Sequence, residues 1–173
     1  DKEYKPHALY DTAAEVTIDG CKILYVPWIC DENREETFNL IKKTDALYCF
    51  GHLEFNGFQM YKGLPSHGGA SVDPFKKFDL VCTGHYHHRS RNGNIQYIGA
   101  AMEYTWSDAG DPRGFAVFDT DTGQLEFFDS PINIFKKIIY DDQTPKDVDF
   151  TQFKNKIVKV VVRSKTNPYA FDQ

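Results

Sequence analysis

The chain lacks any apolar run long enough to cross a bilayer, and its start does not show the basic-then-apolar pattern of a secretory leader. It is also short of positive charge: 20 Lys and Arg against 25 Asp and Glu leave a net charge of -5. That excludes a protein that holds polyanions on a basic surface all round, because phosphate contact needs clustered cations. A local basic patch beside bound metal ions is still allowed. Cysteine is sparse: Cys21, Cys30, Cys49 and Cys82 are irregularly spaced, and three of them sit in apolar runs. The pattern does not read as a disulfide framework and suits buried free thiols in a reducing cytosol. Internal repeats and low-complexity segments are absent. What remains is an ordinary globular composition, 41% hydrophobic and 26% charged over 173 residues, enough for one domain or most of one. Fourteen Phe and ten Tyr help to fill a core.

Histidine is concentrated. Three of the six fall in Thr83-Gly84-His85-Tyr86-His87-His88. The preceding Asp79–Thr83 reads as a short buried strand, and Gly84 permits a sharp turn as it ends. In extended backbone His85 and His87 project to one side and His88 to the other, which makes His85 and His87 the working pair. Ala46–Phe50 reads as a second short apolar strand, and it too ends in Gly-His, at Gly51-His52. If the two strands are neighbours, three imidazoles converge where open α/β sheets place ligands. Neutral imidazoles at such a place suit a transition metal. The bland alternative is a histidine-rich loop without a ligand, and the repeated Gly-His argues against it. A second alternative is structural zinc on Cys49-x-x-His52 and Cys82-x-x-His85. Residues three apart on a strand face opposite sides, so each Cys would point inward while its His points out.

Asp1–Asp11 is a polar lead-in. Val16–Ile18 and Cys21–Val26 flank Asp19-Gly20, a hairpin turn signal. Asp31 is the expected N-cap of a helix over Glu32–Lys43, with Phe38 and Ile41 inward. Strand, helix and strand in that order predict an α/β layer. Glu54–Val72 shows no clear period and reads as a long loop. Its Phe55, Phe58, Met60 and Tyr61, interleaved with Lys62 and His67, either cover the core or stack bases. Glu54 reads as a solvated carboxylate, the alternative being contact with a ligand imidazole, and His67 reads as a loop histidine. Asp73-Pro74 opens a short helix. Arg89 and Arg91 precede an Asn92-Gly93 hairpin turn, either solvated or meeting a phosphate backbone. Ala100–Arg113 is a polar loop whose Trp106 stacks a base or plugs the core. Phe115–Phe118 and Gln124–Phe128 form a further hairpin, Ile134–Tyr140 another strand of an added antiparallel sheet, Thr144–Asp149 a linker, Phe150–Phe153 a short helix, and Ile157–Arg163 a strong strand.

Gly51-His52, then Gly84-His85-Tyr86-His87, then Tyr97-Ile98-Gly99 resemble the last motifs of calcineurin-like metallophosphoesterases. The resemblance is strongest to SbcD-type DNA-repair exonucleases, in particular their bacteriophage branch. Pro27-Trp28-Ile29-Cys30, Tyr61-Lys62-Gly63, Ser66-His67-Gly68 and Asp111-Pro112-Arg113-Gly114-Phe115 resemble that branch too, so that Val16 to Tyr140 is covered. The resemblance implies a DNA exo/endonuclease whose His52 and His85 ligate one metal of a two-metal centre and whose His87 ligates the other. The metals would be Mn²⁺ or Mg²⁺, about 3.5–4 Å apart. It also implies DNA and an SbcC-like ATPase subunit as partners, with a homodimer left open, in the cytoplasm of a bacterium or phage-infected host. Arg89, Arg91, Tyr61 and Lys62 are the candidate nucleic-acid contacts.

The early motifs of the family, Asp-x-His, Gly-Asp and Gly-Asn-His, do not occur in order. Gly99-Ala100-Ala101 stands where the family usually has Gly-Ser/Thr-Pro. The chain starts with Asp1, and with those motifs missing the resemblance predicts the C-terminal part of a longer protein, inactive alone. The expected fold is α/β: the C-terminal half of a two-sheet α/β/β/α sandwich with several antiparallel hairpins. Residues 1–141 would complete the phosphoesterase portion, and 142–173 would begin a DNA-capping domain or linker. Phosphoesterases acting on substrates other than DNA share these motifs and remain an alternative.

Overall fold

The computed structural model describes residues 9–141 and 149–166. Two strands, β1 (Ala14–Ile18) and β2 (Cys21–Val26), pair antiparallel around Asp19-Gly20. Both turn residues take positive φ, 49° and 81°, as the hairpin's right-handed twist requires. The helix α1 (Arg34–Lys43) starts later than the sequence suggests. Its N-cap is Asn33, not Asp31. The Asn33 side chain accepts from the Cys30 amide and donates to the Trp28 carbonyl, both at 2.9 Å, which holds Asp31 and Glu32 in the turn before the helix. Thr37 and Ile41 face the core, and Phe38 packs edge-on against Phe75. Lys77 donates to the carbonyls of Ile41, Lys42 and Thr44 and so closes the C-terminal end of α1 with a cation.

Next come β3 (Tyr48–Gly51), β4 (Gln59–Tyr61), β5 (Leu64–Pro65), β6 (Leu80–Thr83), β7 (Ser90–Asn92) and β8 (Ile95–Tyr97). The main sheet has the order β1-β2-β3-β6-β8-β7. Its four central strands run parallel and its two edges antiparallel. Parallel strands are covered on both faces, so they read as nearly continuous apolar runs. Leu24, Val26, Cys49, Val81, Ile95 and Tyr97 are accordingly buried together.

The stretch Glu54–Val72 is not structureless. It carries the small β4–β5 hairpin, with Lys62-Gly63 at the tip, and its Phe55 and Phe58 belong to the core. With strands of three and two residues, the hairpin is too short to leave a period in the sequence. The segment is pinned from β8: the Tyr97 hydroxyl donates to the Leu53 carbonyl at 2.8 Å and accepts from the Phe55 amide at 2.9 Å.

Strands β9 (Gly114–Phe118) and β10 (Leu125–Asp129) form the expected antiparallel hairpin, and Phe118 packs edge-on against Tyr48 and Phe50 of β3. The next strand departs from expectation. β11 (Phe135–Asp141) does not join an antiparallel sheet but pairs parallel with β12 (Ile157–Ser164). A parallel pair needs a connection of a dozen residues or more, which the chain between Asp141 and Ile157 supplies. The expected boundary at 141/142 falls between these two paired strands. A 3-10 turn at Phe150–Phe153 precedes β12, capped by Asp149. The expected linker at Thr144–Asp149, apart from Asp149, and residues 1–8 of the expected lead-in lie outside the described residues. The described fold is thus mixed α/β, strand-rich, with several antiparallel hairpins. Among the described residues, no helix is long and apolar enough to cross a membrane.

One buried carboxylate ties the loop after β8 to β11. Glu103 accepts from the amides of Gly110, Ile134 and Phe135. Burial alone would raise its pKa. The three amides, with Arg113 nearby, outweigh burial and hold it below the ordinary glutamate value. A depressed folded-state pKa contributes stability that is present above the unfolded value of about 4.5 and lost as pH falls through the folded one. Urea unfolding between pH 7 and pH 3 should therefore show the wild type losing its advantage over Glu103→Gln at acid pH.

Candidate metal centre

Strands β3 and β6 lie side by side, with Gly51 opposite Thr83, so their Gly-His turns leave the sheet together. The Gly84 amide donates to the Gly51 carbonyl at 3.1 Å, and the Thr83 hydroxyl accepts from the Leu53 amide at 2.8 Å. Space requires the first glycine, and at the second a side chain would crowd the His52 ring. A Cβ on Gly51 would lie 2.5 Å from the Val26 carbonyl oxygen, and one on Gly84 would lie 3.0 Å from Nδ1 of His52. Gly84→Ala should displace the His52 ring, visible as a shift of its proton resonances with the fold retained.

The result is a pair of imidazoles. The His52 and His85 rings meet edge to face at 5.3 Å between centroids. Trp28, half-exposed, packs on both, at 6.1 Å from His52 and 5.1 Å from His85. Glu54 Oε2 lies 4.0 Å from Nε2 of His85, and the Tyr86 hydroxyl approaches the other carboxylate oxygen. Burial, and then the neighbouring His85, hold His52 below the usual imidazole value. The neutral ring, which is the ligand form, is thereby favoured near pH 7. Beside this pair is a cavity of about 300 Å³ lined by Trp28, Ile29, Arg34, His52, Leu53, Glu54, Phe55, Gly69 and Ala70.

His87 goes elsewhere. His85 has φ of +87°, so the backbone is not extended there and the alternation that would put His85 and His87 on one side does not apply. The His87 ring sits between Tyr61, at 6.3 Å, and Tyr104, at 5.6 Å, with its Nδ1 on the carboxylate of Asp108 at 3.1 and 3.3 Å. His88 pairs with Asp111 at 2.7 Å. Neither acid was assigned a role from sequence, because both lie more than twenty residues downstream in a polar loop. The only signal was that Asp111 falls in the Asp-Pro-Arg-Gly-Phe motif.

The four candidate nucleic-acid contacts are dispersed. Tyr61 approaches His87, and Lys62 follows it at the exposed hairpin tip. Arg89 binds Asp129 at 2.8 Å and lies 4.1 Å over the Phe127 ring. Arg91 is exposed, with its Nε on the Gly93 carbonyl of its own turn. Trp106 packs against Phe135.

Imidazoles are donors to transition-metal ions, and carboxylates suit Mn²⁺ and Mg²⁺. In number the donors fall short: among the described residues, no group of three or more His, Cys, Asp or Glu is close enough to hold a metal ion. The residues present fit part of a centre. The cysteines do not complete it. Burial pushes the Cys82 thiol up to about 11 and raises that of Cys49, a core residue, as well. Neither is a thiolate near neutral pH.

Comparison with known proteins gives the relationship. The chain is 39% identical over 160 residues to exonuclease subunit 1 of Enterobacteria phage T4, covering 92% of this chain and 46% of that protein. In sequence the chain is related to SbcD-type nuclease subunits. A subunit of the SbcCD nuclease of Staphylococcus epidermidis is 37% identical over 59 residues, 32% of this chain and 16% of the relative. The chain thus spans about half the length of the phage relative and no more. No family model matches it.

Proposed function

We propose that this chain is part of a metal-dependent DNA exo/endonuclease of the SbcD type, hydrolysing phosphodiester bonds. The observation that carries the reading is the juxtaposition of His52 and His85 at 5.3 Å, delivered by two neighbouring parallel strands of a chain similar to an exonuclease subunit. His52 and His85 would hold one of two Mn²⁺ or Mg²⁺ ions and His87 the other, with further donors supplied from outside this chain. When bound, such a pair supplies Lewis-acid polarisation of the phosphodiester and an activated water. The chain's own residues orient and shield. Trp28 packs over the imidazole pair, and the Glu54 carboxylate lies 4.0 Å from Nε2 of His85. An SbcC-like ATPase is the proposed partner, in keeping with the relatives' names as subunits.

DNA is favoured over other phosphoesters by the cavity beside His52. Its apolar floor of Ile29, Leu53, Phe55 and Ala70 and its half-exposed Trp28 suit a flat heteroaromatic base, while Arg34 and Glu54 provide polar edges. Trp28→Ala should weaken single-stranded oligonucleotide binding by about 1–3 kcal/mol, measured by fluorescence anisotropy at fixed salt. Equal affinity in the variant would remove this support.

The test of the function is a calorimetric Mn²⁺ titration of the chain beside His52→Ala and His85→Ala. Weak binding by the wild type, lost in both variants, is the expected result. Tight stoichiometric binding that survives both variants would move the metal site elsewhere. The chain alone is expected to show no nuclease activity, because its described residues gather too few donors.

A further inference from the structure

His87 is held through one ring nitrogen and through its backbone carbonyl. Its ring Nδ1 lies on Asp108, a carboxylate with no exposure to solvent. Its backbone carbonyl accepts from the Arg113 guanidinium and from the Ala100 amide. Gly99 passes so close that a Cβ there would lie 3.0 Å from the same carbonyl oxygen. Arg113 in turn reaches the Asp108 carboxylate at 3.1 Å and Asp111 at 3.4 Å, and is itself buried. Asp108 is fully committed. One of its oxygens accepts from the amides of Tyr104 and Thr105, at 2.9 and 2.8 Å, and from the Thr105 hydroxyl. The other faces His87 and Arg113.

We infer that Arg113 and Asp108 form a clamp that fixes the tautomer and direction of His87, presenting Nε2 as the only free ring nitrogen. An ionised carboxylate only accepts hydrogen bonds, so the ring hydrogen must sit on Nδ1. The buried guanidinium and the amides of Tyr104 and Thr105, just before the 3-10 turn Trp106–Asp108, keep that carboxylate ionised, each being a donor to the charged form. Asp108 is therefore a positioning residue, acting on a ligand or substrate only through His87. A carboxylate behind a histidine also stops the ring rotating about its side-chain bonds. The loop that carries Asp108 and Arg113 thereby sets the geometry of a histidine some twenty residues earlier. The metal-binding consequence rests on the function proposed above; the tautomer does not.

The experiment is long-range ¹⁵N–¹H correlation of the histidine rings in the metal-free chain, for the wild type, Asp108→Asn and Thr105→Val. His87 is expected to carry its hydrogen on Nδ1 alone in the wild type and in Thr105→Val, which leaves the carboxylate in place. In Asp108→Asn both tautomers should appear, since an amide can donate as well as accept. A wild-type His87 with its hydrogen on Nε2, or an Asp108→Asn spectrum identical to the wild type, overturns the clamp. The wild-type spectrum decides even if Asp108→Asn does not fold. Mn²⁺ titration of the same samples should leave the weak binding at His52 and His85 unchanged in Asp108→Asn, because Asp108 acts on His87 alone. If the wild type binds no Mn²⁺ while its tautomer is as stated, the metal reading fails and the clamp stands.

Discussion

Replacing Arg113 by Met is expected to cost about 3–5 kcal/mol of folding stability, the usual penalty for leaving one member of a buried ion pair without its partner. Arg113 and Asp108 are both almost wholly removed from water, and their 3.1 Å contact joins the end of the Ala100–Arg113 loop to its own 3-10 turn. Methionine keeps much of the volume and removes every donor. Asp108 would lose its cation, Asp111 a 3.4 Å contact, and the His87 carbonyl one of its donors. Against a total stability of about 5–15 kcal/mol for a domain, the loss is large. Urea denaturation read by tryptophan fluorescence would measure it as a lower midpoint at unchanged slope. Adding Asp108→Asn to Arg113→Met should recover part of the loss, because the two residues are coupled and the stranded charge is gone. A single-variant loss under about 1 kcal/mol would mean that water reaches Asp108 and that its buried charge needs no cation.

Phe55→Ala is expected to cost a similar amount, about 3–5 kcal/mol. The Phe55 ring is fully buried, in edge contact with Phe75 at 4.9 Å and close to Tyr97 and Phe58. Its amide is held by the Tyr97 hydroxyl, so the backbone cannot collapse into the space left behind. The effect extends to the site, because Phe55 lines the cavity next to His52. Thermal unfolding should give the stability loss, and a loosened His52–Phe55 segment should raise hydrogen exchange at Leu53 and Phe55 above that of β2. Tyr97→Phe isolates the polar part of the same anchor: it leaves the Phe55 amide unpaired, at about 1–3 kcal/mol for a buried group, and the Leu53 carbonyl with only the longer contact from the Thr83 hydroxyl.

Much of the architecture was legible along the chain. Asp19-Gly20 announced a hairpin because few residue pairs tolerate the positive φ that its turn needs, and Asn92-Gly93 pointed to a second, whose turn falls one residue later, on Gly93-Asn94, with Asn92 ending β7. The central strands showed themselves as short apolar runs because parallel strands are covered on both faces. The two Gly-His ends pointed to one place because strands of an α/β layer finish on the same edge, and β3 and β6 prove to be direct neighbours. These signals are local: each is carried by residues within a few positions of one another.

What the sequence could not state depended on contacts across twenty residues or more, or on competition between neighbouring caps. The helix began at Arg34 because Asn33 bonds back to Trp28 and Cys30, outcompeting the acidic run before it. β11 chose β12 over an antiparallel neighbour, a choice between partners that no local pattern encodes. The positive φ at His85 sent His85 to His52 and left His87 to Asp108, where alternation along a strand would have kept the two histidines together. The sequence by itself thus determined which residue types stand at the ends of the strands. The tertiary structure decided which of them meet, because pairing follows from burial and from satisfying each buried donor and acceptor, and those depend on the whole sheet at once.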